Sequence, residues 1–231
     1  MRIIALVQAR LNSTRLPRKV LARIGGKSAL EILVERLAMA RQIDEIIVAM
    51  PHEPQEDYAL PPLNGLAEYF IDSDSNVNDV AGRFAKVLTA IRQEPPAAFV
   101  RVCADSPFLD PAIVDQLVTM YVENALAGTT ADIVSNTRPI TFPAGQCAEV
   151  VNTEFFRQHL GDLSPYGREH VTAELYERAQ RVVHLTTTPD LSRFSLVLDT
   201  QEDLERLRRM ASRMTADHRE YGWRECLRLA Y

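Results

Sequence analysis

The chain has 231 residues, of which 46% are hydrophobic and 25% charged, with a net charge of −5 and a pI of about 5.6. A chain of this length buries roughly 70–75% of its unfolded surface, so it needs neither a disulfide nor a structural metal to hold a core. The composition excludes a mainly disordered chain, and the acidic balance excludes general binding to DNA or RNA, which requires a basic footprint.

The apolar run at residues 3–7 (IIALV) is too short to cross a bilayer, which takes roughly 20 residues. It is also too short for the core of a signal peptide, and no small-residue cleavage site follows it. Its β-branched content predicts a strand buried on both faces. Residues 29–41 place Leu30, Leu33, Val34, Leu37 and Ala38 at helical spacing. Residues 45–50 (EIIVAM) form a second expected strand, stopped by Pro51. The polar, proline-rich stretch at 51–66 reads as a loop within the domain. Residues 79–91 put Val80, Phe84, Val87, Leu88 and Ile91 on one helical face. Residues 98–103 (AFVRVC) give a third strand, and 111–126 a helix with Pro111 in its first turn and Asp110 as N-cap. Strand and helix thus alternate three times, the pattern of βαβ units around a parallel sheet. Further on, strands are expected at 132–135, 146–151, 182–186 and 194–198, and helices at 153–159, 168–179, 201–214 and 218–229. Cys103, Cys147 and Cys226 are odd in number and widely spaced, with no C-x-x-C pair. They support neither a disulfide framework nor a zinc site and point to the cytoplasm.

Ligands of open α/β sheets bind beyond the carboxyl ends of the strands. After the first strand, ten residues carry Arg10, Arg15, Arg18 and Lys19, with hydroxyls from Ser13 and Thr14. Arginine grips phosphate oxygens bidentately and lysine acts as a point charge on them; the plain alternative is a solvated basic turn. Gly25-Gly26-Lys27-Ser28 resembles the end of a P-loop, but Leu21 stands where its first glycine belongs, so a turn before a helix is the better reading. No G-x-G-x-x-G follows a strand. Asp105 and Asp199 each follow an apolar run. Two carboxylates on one sheet edge suit Mg²⁺, which prefers oxygen ligands and substrate phosphates. Alternatively, Asp105 caps a turn with Ser106-Pro107, and Asp199 caps the helix that begins at Gln201.

Gln8-Ala9-Arg10, Ser13-Thr14-Arg15-Leu16-Pro17 and Lys19-Val20-Leu21 together resemble the opening of the cytidylyltransferase family, in particular its spore coat polysaccharide biosynthesis branch. The resemblance continues through residues 43–49, Asp79-Val80 with Arg83, residues 101–107, residues 134–137, Phe142-Pro143 with Gly145 and Glu149, residues 168–172, and Asp199-Thr200 with residues 202–204. It implies a single GT-A-like, Rossmann-like α/β nucleotidyltransferase domain over residues 1–231, with a mostly parallel mixed sheet flanked by helices. It implies that Gln8, Ala9, Arg10, Asn12, Ser13, Arg15 and Lys19, with Ala104 and Asp105, bind CTP, and that Asp105 and Asp199 hold Mg²⁺. Arg10, Lys19, Asp105 and Asp199 would carry the chemistry: attack by a sugar-like acceptor on the α-phosphorus and loss of pyrophosphate. Asp79, Arg83 and Arg101 fall on the nucleotide side. Gln146, Glu149, Arg168 and His170 fall where the acceptor binds, and residues 137–186 where subunits of a homodimer meet. The family pattern has glycine where Asn12 and Arg18 stand, and asparagine tolerates positive φ; it has Arg-Trp-Thr-Val where Ser195-Leu196-Val197-Leu198 stand. The rival readings are a transferase using another nucleotide, a GT-A glycosyltransferase, and a non-catalytic nucleotide-sugar binding domain.

Overall fold

A computed structural model describes residues 1–52, 59–73, 76–91 and 94–231. Seven strands share one sheet: β1 (Ile3–Gln8), β4 (Glu45–Pro51), β5 (Glu68–Asp72), β6 (Ala98–Cys103), β7 (Ile133–Ser135), β8 (Glu149–Asn152) and β9 (Val182–His184), in the order β5-β4-β1-β6-β8-β7-β9. Every pairing is parallel except those made by β8, which runs against both β6 and β7. A small hairpin, β2 (Arg23–Ile24) and β3 (Lys27–Ser28), turns through Gly25 and Gly26, both at positive φ. Glycine adopts that conformation without strain, which explains why this sequence imitates part of a P-loop without being one.

Three helices connect the parallel strands. Ser28 starts α1 (Ala29–Leu37) with a capping box to Glu31. Asp79 caps α2 (Val80–Ala90), and Asp110 caps α3 (Pro111–Leu126) with proline in its first turn. Alternation along β1 then divides the core. Ile3, Ala5 and Val7 pack with α1 and α3 on one face, while Ile4 and Leu6 pack with α2 on the other. The second face is completed by α4 (Thr153–His159), α5 (Pro165–His170) and α6 (Leu175–Arg178). Two C-terminal helices, α7 (Gln201–Ser212) and α8 (Trp223–Ala230), form a third apolar cluster with Ile24, Leu196 and Leu198.

Several expectations change. Residues 194–198 form no strand; they make one bridge, Ser195 to Ala144, and their leucines serve packing instead. The helix expected at 168–179 is divided into α5 and α6. Between them Val171 takes φ 57° and ψ −66°, and Thr172 N–H donates to His170 C=O. This is a γ-turn in its rare, strained form, and Val171 is a buried β-branched residue for which positive φ is costly. The segment at 218–229 is a short 3₁₀ turn followed by α8. Strand β5 was not expected, and Pro51 closes β4 rather than stopping the chain before it. Residues 53–58 of the expected 51–66 loop lie outside the described residues.

Candidate active site

The first parallel strand delivers the basic loop, as its position demands. Leu11 C=O accepts from both Ser13 N–H and Arg18 N–H, which folds the loop tightly. Arg18 itself sits in the left-handed region (φ 58°, ψ 28°) and opens a one-turn 3₁₀ segment containing Lys19. The loop therefore places its strained residue at Arg18, and Asn12 does not take positive φ.

That turn aims Lys19 inward, where it is 9% exposed. Its Nζ donates to Asp105 Oδ2 at 2.9 Å and to Asp199 Oδ1 at 3.1 Å. Arg15, which is largely exposed, pairs with Asp199 Oδ2 at 2.5 Å. Burial alone would lower the Lys19 ammonium, but the two aspartates outweigh it and raise its pKa above the ordinary value. Asp105 follows β6 directly. Asp199 is brought beside it because Leu198 N–H donates to Asp105 C=O and Leu196 N–H to Ala144 C=O. The helix-cap reading of Asp199 fails on geometry: Thr200 caps α7 through a capping box with Asp203, whose carboxylate also accepts from Asp199 N–H.

Beside this charged pair opens a small cleft. Of the residues expected there, Gln8, Ala9, Arg10, Lys19, Arg83, Ala104, Asp105 and His170 line it. Val20, Val77, Val80, Cys103 and Glu169 complete it, and none of them was expected as a site residue. Val77 and Val80 flank Asp79, and Glu169 sits beside His170, so adjacency to a charged motif was the available signal. Arg10 reaches Asn78 at 3.3 Å and Glu169 at 3.5 Å. Arg83 is buried and donates to Val77 C=O at 3.1 Å, shaping the wall. Burial pushes the Cys103 thiol up to about 11, so it is a neutral surface rather than a nucleophile.

The other expected residues stand apart from the cleft lining. Asp79 pairs with Arg168 at 3.1 Å, joining the start of α2 to α5. Gln146 is fully buried, and its amide binds Phe108 C=O at 2.7 Å and Asp110 N–H at 2.9 Å. Arg101 and Glu149 face one another in the β6–β8 register and pair at 2.6 Å. Tyr176 Oη donates to Glu149 Oε1 at 2.6 Å, Thr172 Oγ1 to Oε2 at 2.8 Å, and Thr137 Oγ1 to Oε1 at 3.2 Å. Burial would push the Glu149 carboxyl up, but Arg101 and these hydroxyls hold it below the usual glutamate value. The hydroxyl partners come from the loop after β7, the turn between α5 and α6, and α6 itself, and no local pattern announces them.

No group of three or more His, Cys, Asp or Glu side chains suited to a metal occurs among the described residues, and no helix among them is long and apolar enough to cross a membrane. A family model described as Cytidylyltransferase matches residues 4–221. The spore coat polysaccharide biosynthesis protein SpsF of Bacillus subtilis is 29% identical over 218 residues, covering 89% of this chain and 85% of its own. A 3-deoxy-manno-octulosonate cytidylyltransferase of Geobacter sulfurreducens is 32% identical over 124 residues, 54% of this chain and 47% of that one. Among solved structures, a cytidylyltransferase from Leptospira borgpetersenii superposes with a TM-score of 0.84 at 23% identity, over 99% of this chain and 93% of its own, a likeness of fold. With a nucleotidyltransferase sheet, a basic loop after its first strand and a family match across nearly the whole length, the chain is an enzyme of the cytidylyltransferase family.

Proposed function

We propose that the chain transfers CMP from CTP to a sugar-like acceptor, with release of pyrophosphate, in the synthesis of a surface polysaccharide or glycoconjugate precursor. The observation that carries this reading is Lys19 bridging Asp105 and Asp199 at the mouth of the cleft. The names of the relatives supply the nucleotide and the class of acceptor.

In this reading, Arg10, Arg15 and Lys19 take the β- and γ-phosphates, whose charge grows as pyrophosphate leaves. Arg15 and Lys19 are now neutralised by the two aspartates, so a triphosphate offers them replacement oxygens at little net change in charge. Chemistry of this kind depends on positioning and charge stabilisation. Asp105 and Asp199 fit Mg²⁺: both are partly exposed carboxylates, hard oxygen donors, and a pair of them leaves room for water and phosphate. When bound there, the ion would neutralise phosphate charge and favour the attacking oxygen. Gln8, Ala9, Asn12, Ser13 and Ala104 would frame the nucleotide, with Arg83 and the Asp79–Arg168 pair supporting that wall. His170 opens onto the cleft and would meet the acceptor. Residues 137–186 would carry the acceptor side and the contacts of a homodimer.

The test is pyrophosphate release from CTP and Mg²⁺ with a panel of acidic sugars and sugar phosphates. Release that depends on one acceptor class and on CTP is expected. Tight CTP binding with no release from any acceptor would make the chain a binding module instead.

A further inference from the structure

Away from the phosphate loop, the cleft holds one polar group whose orientation is fixed by its neighbours. Gln8 ends β1 and lines the cleft. Its Oε1 accepts from Arg101 Nε at 3.0 Å. A guanidinium has donors only, so the amide oxygen must face Arg101 and the amide nitrogen must face away. This assignment follows from chemistry, whatever the usual ambiguity between the two ends of an amide. Turning the amide over would set N–H against N–H.

Arg101 is not free to yield. Its Nη1 donates to Glu149 at 2.6 Å, and Glu149 is buried and held by Tyr176 and Thr172. The sheet register builds this row: Leu6, Arg101, Glu149 and Ser135 are cross-strand neighbours on β1, β6, β8 and β7, and Gln8 stands one step along the same face of β1. Gln8 Nε2 has no hydrogen-bond partner among the described residues, so its two N–H groups are left for whatever enters the cleft. Ala9, Val77, Val80 and Ala104 give the same cleft an apolar lining suited to a flat ring.

We propose that Gln8 reads the nucleobase as a locked hydrogen-bond donor, and that Arg101 and Glu149 are positioning residues which lock it. The proposal rests on the cleft being the nucleotide site. Cytosine presents two adjacent acceptors, O2 and the unprotonated N3. Uracil has the same O2 but carries a proton on N3. A fixed N–H directed at N3 therefore pairs with cytosine and opposes uracil, leaving polar groups unpaired in the wrong complex. A glutamine free to turn over would satisfy both bases by offering its oxygen to uracil. The lock is what converts an indifferent amide into a discriminating one.

Calorimetric dissociation constants for CTP and UTP test this in the wild type, Gln8→Glu, Gln8→Leu and the double variant Arg101→Met with Glu149→Met, which removes the buried pair together. The wild type should favour CTP by on the order of tenfold to a hundredfold. Both Gln8 variants should lose that preference through weaker CTP binding. The double variant should lose it partly through tighter UTP binding, because the released amide can turn, and a merely structural role for Arg101 cannot produce such a gain. If the Gln8 variants keep the wild-type ratio, or if the wild type binds CTP and UTP alike, Gln8 does not read the base and the nucleotide site stands without it. If the wild type binds neither nucleotide, the nucleotide site itself is overturned.

Discussion

Two clusters of opposite charges lie at the carboxyl ends of the strands, and they are built differently. In the cluster of Lys19, Arg15, Asp105 and Asp199, the two aspartates and Arg15 reach solvent. In the cluster of Arg101 and Glu149, the carboxylate is sealed and hydroxyls from a loop, a turn and a helix complete its shell. The first is held by charges that phosphate or a cation can replace. The second has no route to replacement, and a buried charge that loses its partner is severely penalised. In the proposed reading the contrast separates exchange from support: one cluster would change partners, the other keep a shape.

The largest expected effect is on the sealed cluster. Glu149→Ala leaves Arg101 buried without its carboxylate and should cost about 3–5 kcal/mol, read as a shift of the denaturation midpoint at neutral pH. The same carboxyl titrates below the ordinary value of 4.5. Its contribution is present above that value and is lost as pH falls through the lower, folded-state pKa. Glu149→Gln should therefore flatten the fall of stability below pH 4.5; an unchanged acid limb would place the acid sensitivity elsewhere. Next, Asp199→Asn should reduce pyrophosphate release on the order of 10²-fold with little change in melting temperature, since Thr200 and Asp203, not Asp199, cap α7. Wild-type Mg²⁺ dependence in that variant would remove Asp199 from the proposed Mg²⁺ site. Lys19→Met should weaken triphosphate binding on the order of tenfold. It should also tighten Mn²⁺ binding to the nucleotide-free chain, because the ammonium that competes for both aspartates is gone; weaker Mn²⁺ binding would show that the lysine does not compete. The smallest effect concerns the loop itself. Arg18→Gly should raise stability by about 1 kcal/mol by relieving the left-handed residue, and a drop in melting temperature would mean that the arginine side chain outweighs its backbone strain.

What sequence reveals here depends on how local its cause is. The buried strands β1, β4 and β6 and the helices between them follow from apolar runs and helical spacing within a dozen residues. The basic loop and Asp105 are legible because they sit directly after such runs. Strand β5 (EYFID) lies at a sheet edge and has half-exposed positions, so it lacks the continuous apolar run of its neighbours. Residues 194–198 have that run but spend it on α7 and α8, because Leu196 and Leu198 are buried there without a ladder. Nothing in Arg168-Glu169-His170-Val171 marks a helix end, since neither glycine nor proline is present; tertiary packing of Val171 imposes the turn. Thr200-x-x-Asp203 was a readable capping box, and reading it would have freed Asp199 from the cap at once. Glu149 stood out as a carboxylate within an apolar strand, but its partner Arg101 becomes visible only through strand register.

Gly145 carries a consequence for how the molecule tolerates change. It adopts φ 88°, and a Cβ there would lie 2.7 Å from the Leu196 carbonyl carbon and 2.9 Å from Val197 N. That backbone is the tether which ends at Asp199, anchored on Ala144 and Asp105. A methyl group at position 145 would therefore press on the backbone of the tether and shift the carboxylate at its end. Position 145 is a mechanical adjustment for the spacing of the two aspartates, so substitutions accepted there in laboratory selection should come with compensating changes in residues 194–198.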